Sequence, residues 1–356
     1  MKTAKTKKYD LRPVVVLLVL AAFLAMSTYA WFTTNRLVKV NSLDITVQAS
    51  EGFQISLDAI NWKTVIQTEE ILGTEVNDRY SANVNHIPEE MVPVSTALTT
   101  NGTNGFMNTF LGTAALDDVS TSPTFGQYVF SASEVIESQG ISGYYIAFDL
   151  FFKINYEMRL HLDTAANVLD IGVGATADKG IENAARIGFV NQGTILATSS
   201  LTGDALVSAA QGLRNASGPT DGSNVTVWEP NYDAHTAAAK LDVLNLYGIS
   251  ELSPIWNDRI PYDGVLDEIN AGSPILLVQS TAAYYSAYFR SIPSTKIVTT
   301  PQATPRANTT DTGIVLQPGV TKMRIYIWLE GQDYDCVDSA AGSEMRIDLI
   351  LAAERI

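Results

Sequence analysis

Apolar and polar residues alternate along much of the chain with the period of two that builds strands with one buried face. Leu43, Ile45, Val47 and Ala49 interleave with Asp44, Thr46 and Gln48, and after a turn at Glu51-Gly52 the pattern resumes with Phe53, Ile55 and Leu57. These positions predict a strand, a turn and a second strand. The stretch Tyr144 to Asp163, YYIAFDLFFKINYEMRLHLD, is the densest in aromatic and branched side chains. It exceeds an ordinary strand of roughly five or six residues, so a division is predicted near Lys153 to Asn155. Val168 to Gly174, Pro274 to Gln279 and Ala283 to Phe289 carry the same bias. Met323, Ile325, Ile327 and Leu329 face one way, and Arg324, Tyr326, Trp328 and Glu330 the other. That run and MRIDLIL from Met345 are expected to be neighbouring strands over a long acidic loop.

Successive β runs with no helices between them predict antiparallel sheets rather than alternating strand-helix units. Ile181 to Val190 (IENAARIGFV) departs from this, with helix formers and no turn residue before Gly188. Short helices are expected at Asp204 to Leu213 and His235 to Leu246. Thr96 to Gly105, Asp117 to Gly126 and Ser294 to Thr312 are rich in Thr, Asn, Ser, Gly or Pro and read as loops, the last as a solvated connection. The predicted architecture is a mainly β, antiparallel sandwich over residues 31–356. A loop- and helix-rich insertion at about 181–272 decorates it, because its apolar density would not support a separate core.

The amino-terminal residues fix the expected destination. Lys2, Lys5, Lys7, Lys8 and Arg12 precede the apolar run Val14 to Trp31, which ends in the small residues Thr28 and Ala30. This is the order of a secretory signal, cut before Trp31; left uncut, the run is long enough to anchor the chain in a membrane. Signal peptidase is then a partner, membrane contact is confined to residues 14–31, and the rest works outside the cell. Of 23 Lys plus Arg and 38 Asp plus Glu, five bases and one acid lie in the first 30 residues. The remainder holds 18 bases against 37 acids, a net charge of −19 that repels nucleic acid and anionic membrane. Cys336 is the single cysteine, so an intrachain disulfide is excluded and stability must come from the core.

The basic leader, the apolar run and TYAWFTTN leading into LDITVQASEGFQISL resemble exported Gram-positive surface and matrix proteins processed by a SipW-type signal peptidase, the TasA and camelysin group. The stretch IYIWLEGQDYDCVD, Ile325 to Asp338, resembles the tail of members of the same class. The likeness spans roughly the first 60 residues and the last 40. It implies a jelly-roll that assembles into cell-surface fibres with itself or related subunits by lending a strand to its neighbour. The segment that would be lent carries Trp31, Phe32, Leu37, Val38, Val40, Leu43, Ile45 and Val47. The plainer reading is that Leu43 to Ala49 is the first strand of its own fold. An anchored adhesin or carbohydrate-binding module, presenting Thr194 to Asn270 outward, is the rival function.

Catalytic motifs are not evident. His86, His161 and His235 lie far apart in sequence without the close spacing of a metalloprotease, and no serine elbow or phosphate-cradling Gly-Lys-Ser/Thr loop is present. Gly172 to Ala177 matches a loose dinucleotide fingerprint but lacks its acid about 20 residues on. A non-enzymatic protein without an organic cofactor is expected. Glu330, Asp333, Asp335 and Asp338 place four carboxylates within nine residues. They read either as a solvated acidic turn or as a candidate calcium site, since calcium selects hard oxygen ligands. Tyr144, Tyr145, Phe148, Phe151 and Phe152 read as core aromatics rather than a sugar-stacking platform.

Overall fold

The computed structural model describes residues 37–356 apart from 49–51, 73–84, 101–104, 117–119, 122–127, 136–142, 164, 173–179, 215–223, 231–234, 248–264, 267–274, 277–288, 291–296, 300–308, 332, 334 and 337–341. The signal run therefore lies outside the described residues, among which no helix is long and apolar enough to cross a membrane.

Strands dominate. In chain order they are Lys39–Gln48 (β1), Gln54–Ser56 (β2), Val65–Ile66 (β3), Ser95–Thr100 (β4), Met107–Leu116 (β5), Tyr128–Val135 (β6), Ile146–Ile154 (β7), Met158–Asp163 (β8) and Asn167–Asp170 (β9). There follow Ala185–Leu196 (β10), Val225–Glu229 (β11), Val265–Leu266 (β12), Ile275–Leu276 (β13), Phe289–Arg290 (β14), Ile297–Thr299 (β15), Thr309–Leu316 (β16), Gly319–Leu329 (β17) and Glu344–Arg355 (β18). Among the described residues four helices punctuate them: Thr68–Ile71 (α1), Ile181–Ala184 (α2), Gly203–Gln211 (α3) and Ala237–Tyr247 (α4).

One sheet has the order β16-β8-β18-β1-β3, with β9 also on β18, and another has β15-β11-β10-β17-β7-β2. A third sheet, β13-β6-β5-β4, and the ribbon β12-β14 complete the pairing. Most pairs are antiparallel, as expected; β1 with β18 and β11 with β15 are parallel. The chain repeatedly changes sheet between consecutive strands, from β1 to β2, β7 to β8, β9 to β10, β16 to β17 and β17 to β18. Alternate residues of the two large sheets meet in one apolar cluster. Leu43, Ile45, Leu160, Leu162, Ile347 and Leu349 come from the first sheet, and Phe148, Leu150, Ile187, Phe189, Ile325 and Ile327 from the second.

The second large sheet is buried on both faces. Its other side carries Tyr145, Ala147, Val190, Val227, Tyr326 and Trp328, packed with Val94 and Met107, while Phe151 meets Ala210 of α3. Alternation along β17 is therefore real but does not separate core from water: Lys322, Arg324, Tyr326 and Trp328 all have zero exposure.

Several expectations are corrected. Ile181 to Val190 is helical only over α2; from Ala185 the chain is β10, a central strand paired with β17 from Ala185 opposite Leu329 to Leu196 opposite Gly319. Two flanking strands supply hydrogen bonds that outweigh weak helix propensity, as tertiary context routinely does. Strands β10 and β11 thus place parts of the 181–272 span within the main sheet, whereas α3 and α4 match the helices expected there. Strands β17 and β18 belong to different sheets, so the acidic loop between them crosses the core edge instead of joining neighbours. Thr96 to Thr100 lies in β4, and the Ser294 to Thr312 connection contains β15 and the start of β16. The Tyr144 to Asp163 run does divide into β7 and β8, with the break at Asn155 to Glu157.

Candidate functional site

The densest buried chemistry lies where the loop after β17 meets the start of β10, the end of β11 and the start of α4. Main-chain bonds seat the loop: Glu330 N–H donates to Ala184 O at 2.8 Å, and Gly331 N–H to Val94 O at 2.9 Å. Asp333 and Cys336 follow with turn bonds to Glu330 O (3.1 Å) and Asp333 O (3.0 Å). Strand alternation aims Arg186 away from the shared apolar cluster and into this loop. Its Nη2 lies 2.7 Å from Asp333 Oδ2 and 2.6 Å from Glu229 Oε1, and Nη1 donates to Asn183 O at 2.8 Å.

Asp335 ties the loop to α4. Its Oδ1 accepts from Thr236 N–H at 2.8 Å and its Oδ2 stands 2.8 Å from His235 Nδ1. Thr236 in turn caps the helix, Oγ1 accepting from Ala239 N–H at 3.0 Å. Gly180 passes so close that a Cβ there would stand 2.9 Å from Asp335 O and 2.8 Å from Thr236 Cγ2, at a φ of +82° that already favours glycine.

Glu330, Asp333 and Asp335 are thus neither a solvated turn nor a ring of open oxygen ligands. Glu330, Asp333 and Asp335 are at most 1% exposed. Asp333 Oδ1 accepts from Asp335 N–H at 2.8 Å, so both oxygens of each aspartate already face protein groups. Glu330 turns aside to accept from Trp328 Nε1–H at 3.3 Å, and Asp338 lies outside the described residues. Calcium requires roughly six to eight oxygens. Here the Arg186 guanidinium is the cation that Asp333 meets, and of the described members of the predicted set Asp333 and Asp335 stand together while Glu330 bonds Trp328. His235, Asp333 and Asp335 do bring one ligating atom each within 4.8 Å of one another, a grouping that includes a histidine the calcium reading lacked. Burial pushes the Asp333 carboxyl up to about 6, with Asp335 adding to the rise while Arg186 and His235 oppose it.

A second ionic cluster lies across β7 and β17. Asp149 Oδ1 accepts from Arg324 Nη1–H at 2.9 Å and Oδ2 lies 3.2 Å from Lys322 Nζ, with all three side chains at zero exposure. Arg186, Glu229 and Lys322 were not singled out from the sequence, and His235 was weighed there only for metalloprotease spacing, which it lacks. The available signal was a charged residue inside an apolar β run, as in AARIGFV, VTVWE and VTKMRIY.

The segment expected to serve in assembly has mixed fates. Trp31 and Phe32 lie outside the described residues, Leu37 is 36% exposed and Val40 half-buried. Val38 is fully buried and bridges Met91. Leu43, Ile45 and Val47 are buried in the chain's own sheet, between β18 and the two-residue β3. Cys336 is buried, and Tyr145, Phe148, Phe151 and Phe152 are core residues. Comparison of the chain with protein-family models, with curated proteins and with solved structures found no match.

Proposed function

We propose that the chain is an exported, non-catalytic structural subunit of a cell-surface or matrix assembly, built as a jelly-roll-like β-sandwich and polymerising with copies of itself by strand addition. The reading of a sandwich is supported by the single apolar cluster shared by the two large sheets and by the repeated change of sheet between consecutive strands. The assembly reading rests on β1. It is parallel to β18 from Lys39 opposite Glu344 to Gln48 opposite Ala352, and among the described residues its ladder on the other edge is the two-residue β3, Val65 and Ile66. A strand whose longest ladder is with a strand remote in sequence can be supplied by an identical strand from another copy.

The test removes residues 31–50 from the mature chain and adds them back as a peptide. Recovery of the β fold on adding the peptide, together with filaments of the intact protein in electron microscopy, supports strand donation. A truncated chain that the peptide does not restore, and an intact protein that stays monomeric, refute it.

A surface-anchored adhesin or carbohydrate-binding protein is the second reading. It draws on a cleft of about 380 Å³ lined by Leu57, Asp58, Asn61, Lys63, Ile66 and Glu70, a mixed apolar and hydrogen-bonding wall. Retention on polysaccharide beads that is lost in Asn61→Ala, with no filaments formed, favours this reading over the first.

A further inference from the structure

We propose that Lys322 and Asp149 become joined by an intramolecular amide bond, formed by the folded chain itself, that locks β17 to β7. The register places Arg324 directly opposite Asp149 and Lys322 opposite Phe151. Lys322 therefore reaches Asp149 along the diagonal, a separation that long side chains on one sheet face span. Nζ lies 3.2 Å from Oδ2, an ion-pair contact that holds the amine beside the carboxyl group whose carbon it would attack. Gln211 O, at the end of α3, accepts from Nζ–H at 2.9 Å and fixes the amine, while the Phe151 ring lies 5.7 Å from it. Both side chains have zero exposure, so water neither competes for the amine nor hydrolyses the product.

Electrostatics favour the step. Burial, the largest influence, pushes the Lys322 ammonium below its ordinary value; Asp149 pulls it back up, and Arg324 and Arg214 lower it further. A neutral amine is the nucleophilic form. Arg324 Nη1–H, 2.9 Å from Oδ1, is placed to hold the oxyanion that develops there.

The reaction balances within the pair. Nζ attacks Cγ, forming the C–N bond and moving charge onto Oδ1. Oδ2 takes two protons from the nitrogen and leaves as water, and the Oδ1 carbonyl reforms. An ammonium and a carboxylate thus become an amide and a water, with no oxidant, reductant or net proton. Two desolvated charges disappear from the interior, where a buried ion pair is a poor source of stability. Arg324 keeps the amide carbonyl as an acceptor and lies over Phe106 (4.8 Å) and Tyr326 (6.0 Å), which favour a cation. With Cys336 as its single cysteine, the chain gains a covalent tie between sheet strands that disulfides cannot supply.

Mass spectrometry of the purified full chain decides it. A tryptic digest under denaturing conditions is expected to contain the segment bearing Asp149 joined to the segment bearing Lys322, lighter than their sum by one water and uncut after Lys322. The intact mass falls short of the sequence mass by the same water. Lys322→Met, which keeps an unbranched buried side chain, is expected to recover the full mass. Separate peptides, cleavage after Lys322 and an intact wild-type mass equal to the sequence overturn the proposal. The wild-type digest distinguishes the two outcomes whether or not the variant folds.

Discussion

Arg186 Nη2 and Asp333 Oδ2 stand 2.7 Å apart with neither side chain exposed, although 147 residues separate them in the chain. Their pairing closes the acidic loop onto β10. Arg186 also serves Glu229, so its removal takes the ion-pair partner from two buried carboxylates. Arg186→Met is expected to lower unfolding free energy by about 3–5 kcal/mol, the range for breaking a buried pair from one side. Urea titration followed by far-ultraviolet circular dichroism measures it, and a change below about 1 kcal/mol, on the order of a surface pair, would contradict the buried geometry.

Asp333 makes the fold prefer mild acid. Its carboxyl stands at about 6 in the folded chain against an ordinary 3.8, so the folded state holds this proton more tightly than the unfolded one. The resulting stabilisation is complete below about 3.8 and is lost as pH rises through about 6. Asp333→Asn cannot titrate there. The melting temperature of the wild type relative to Asp333→Asn is expected to climb between about pH 7 and pH 5, and a flat difference would disprove the assignment.

Gly319 opens β17 at a φ of +138°, and a Cβ at that position would lie 2.1 Å from Ile195 O. Backbone is too stiff to yield by that amount. Gly319→Ala is expected to cost on the order of 2 kcal/mol or more. Gly313, with φ +69° and nothing within 4 Å of where a Cβ would stand, provides the comparison: its alanine variant carries the dihedral penalty alone and should lose less in the same denaturant titration.

Cys336 is 1% exposed and sits in the turn that Asp333 closes. A water-soluble thiol reagent should leave it unreacted in the native protein and modify it fully in denaturant. Rapid native labelling would mean that the loop opens far more readily than its hydrogen bonds indicate.

Much of the strand content was legible because branched and aromatic residues recur at alternate positions in β1, β7, β8, β17 and β18. What alternation cannot tell is which sheet a strand joins, and so β17 and β18 were expected side by side when they lie in different sheets. Nor does it distinguish a polar face in water from one covered by further layers. Arg324, Tyr326, Trp328 and Glu330 read as the second face of their strand, yet Val94, Met107 and Leu111 pack over that side of the sheet, as Ala210 of α3 does near Phe151. Strand β10 was obscured because IENAAR carries helix formers, and its strand identity comes from β11 and β17, both remote in sequence. The acidic loop misled for a related reason. Its counter-charge, Arg186, and its second partner, His235, lie far upstream, leaving four carboxylates in sequence with no visible compensation.

The parallel union of residues 39–48 with residues 344–352 sets a timetable as well as a shape. Because synthesis runs from the amino terminus, β1 must wait for its β18 partner until roughly 300 later residues have been polymerised. Closure of this sheet therefore comes late, after the strands between the two have been made.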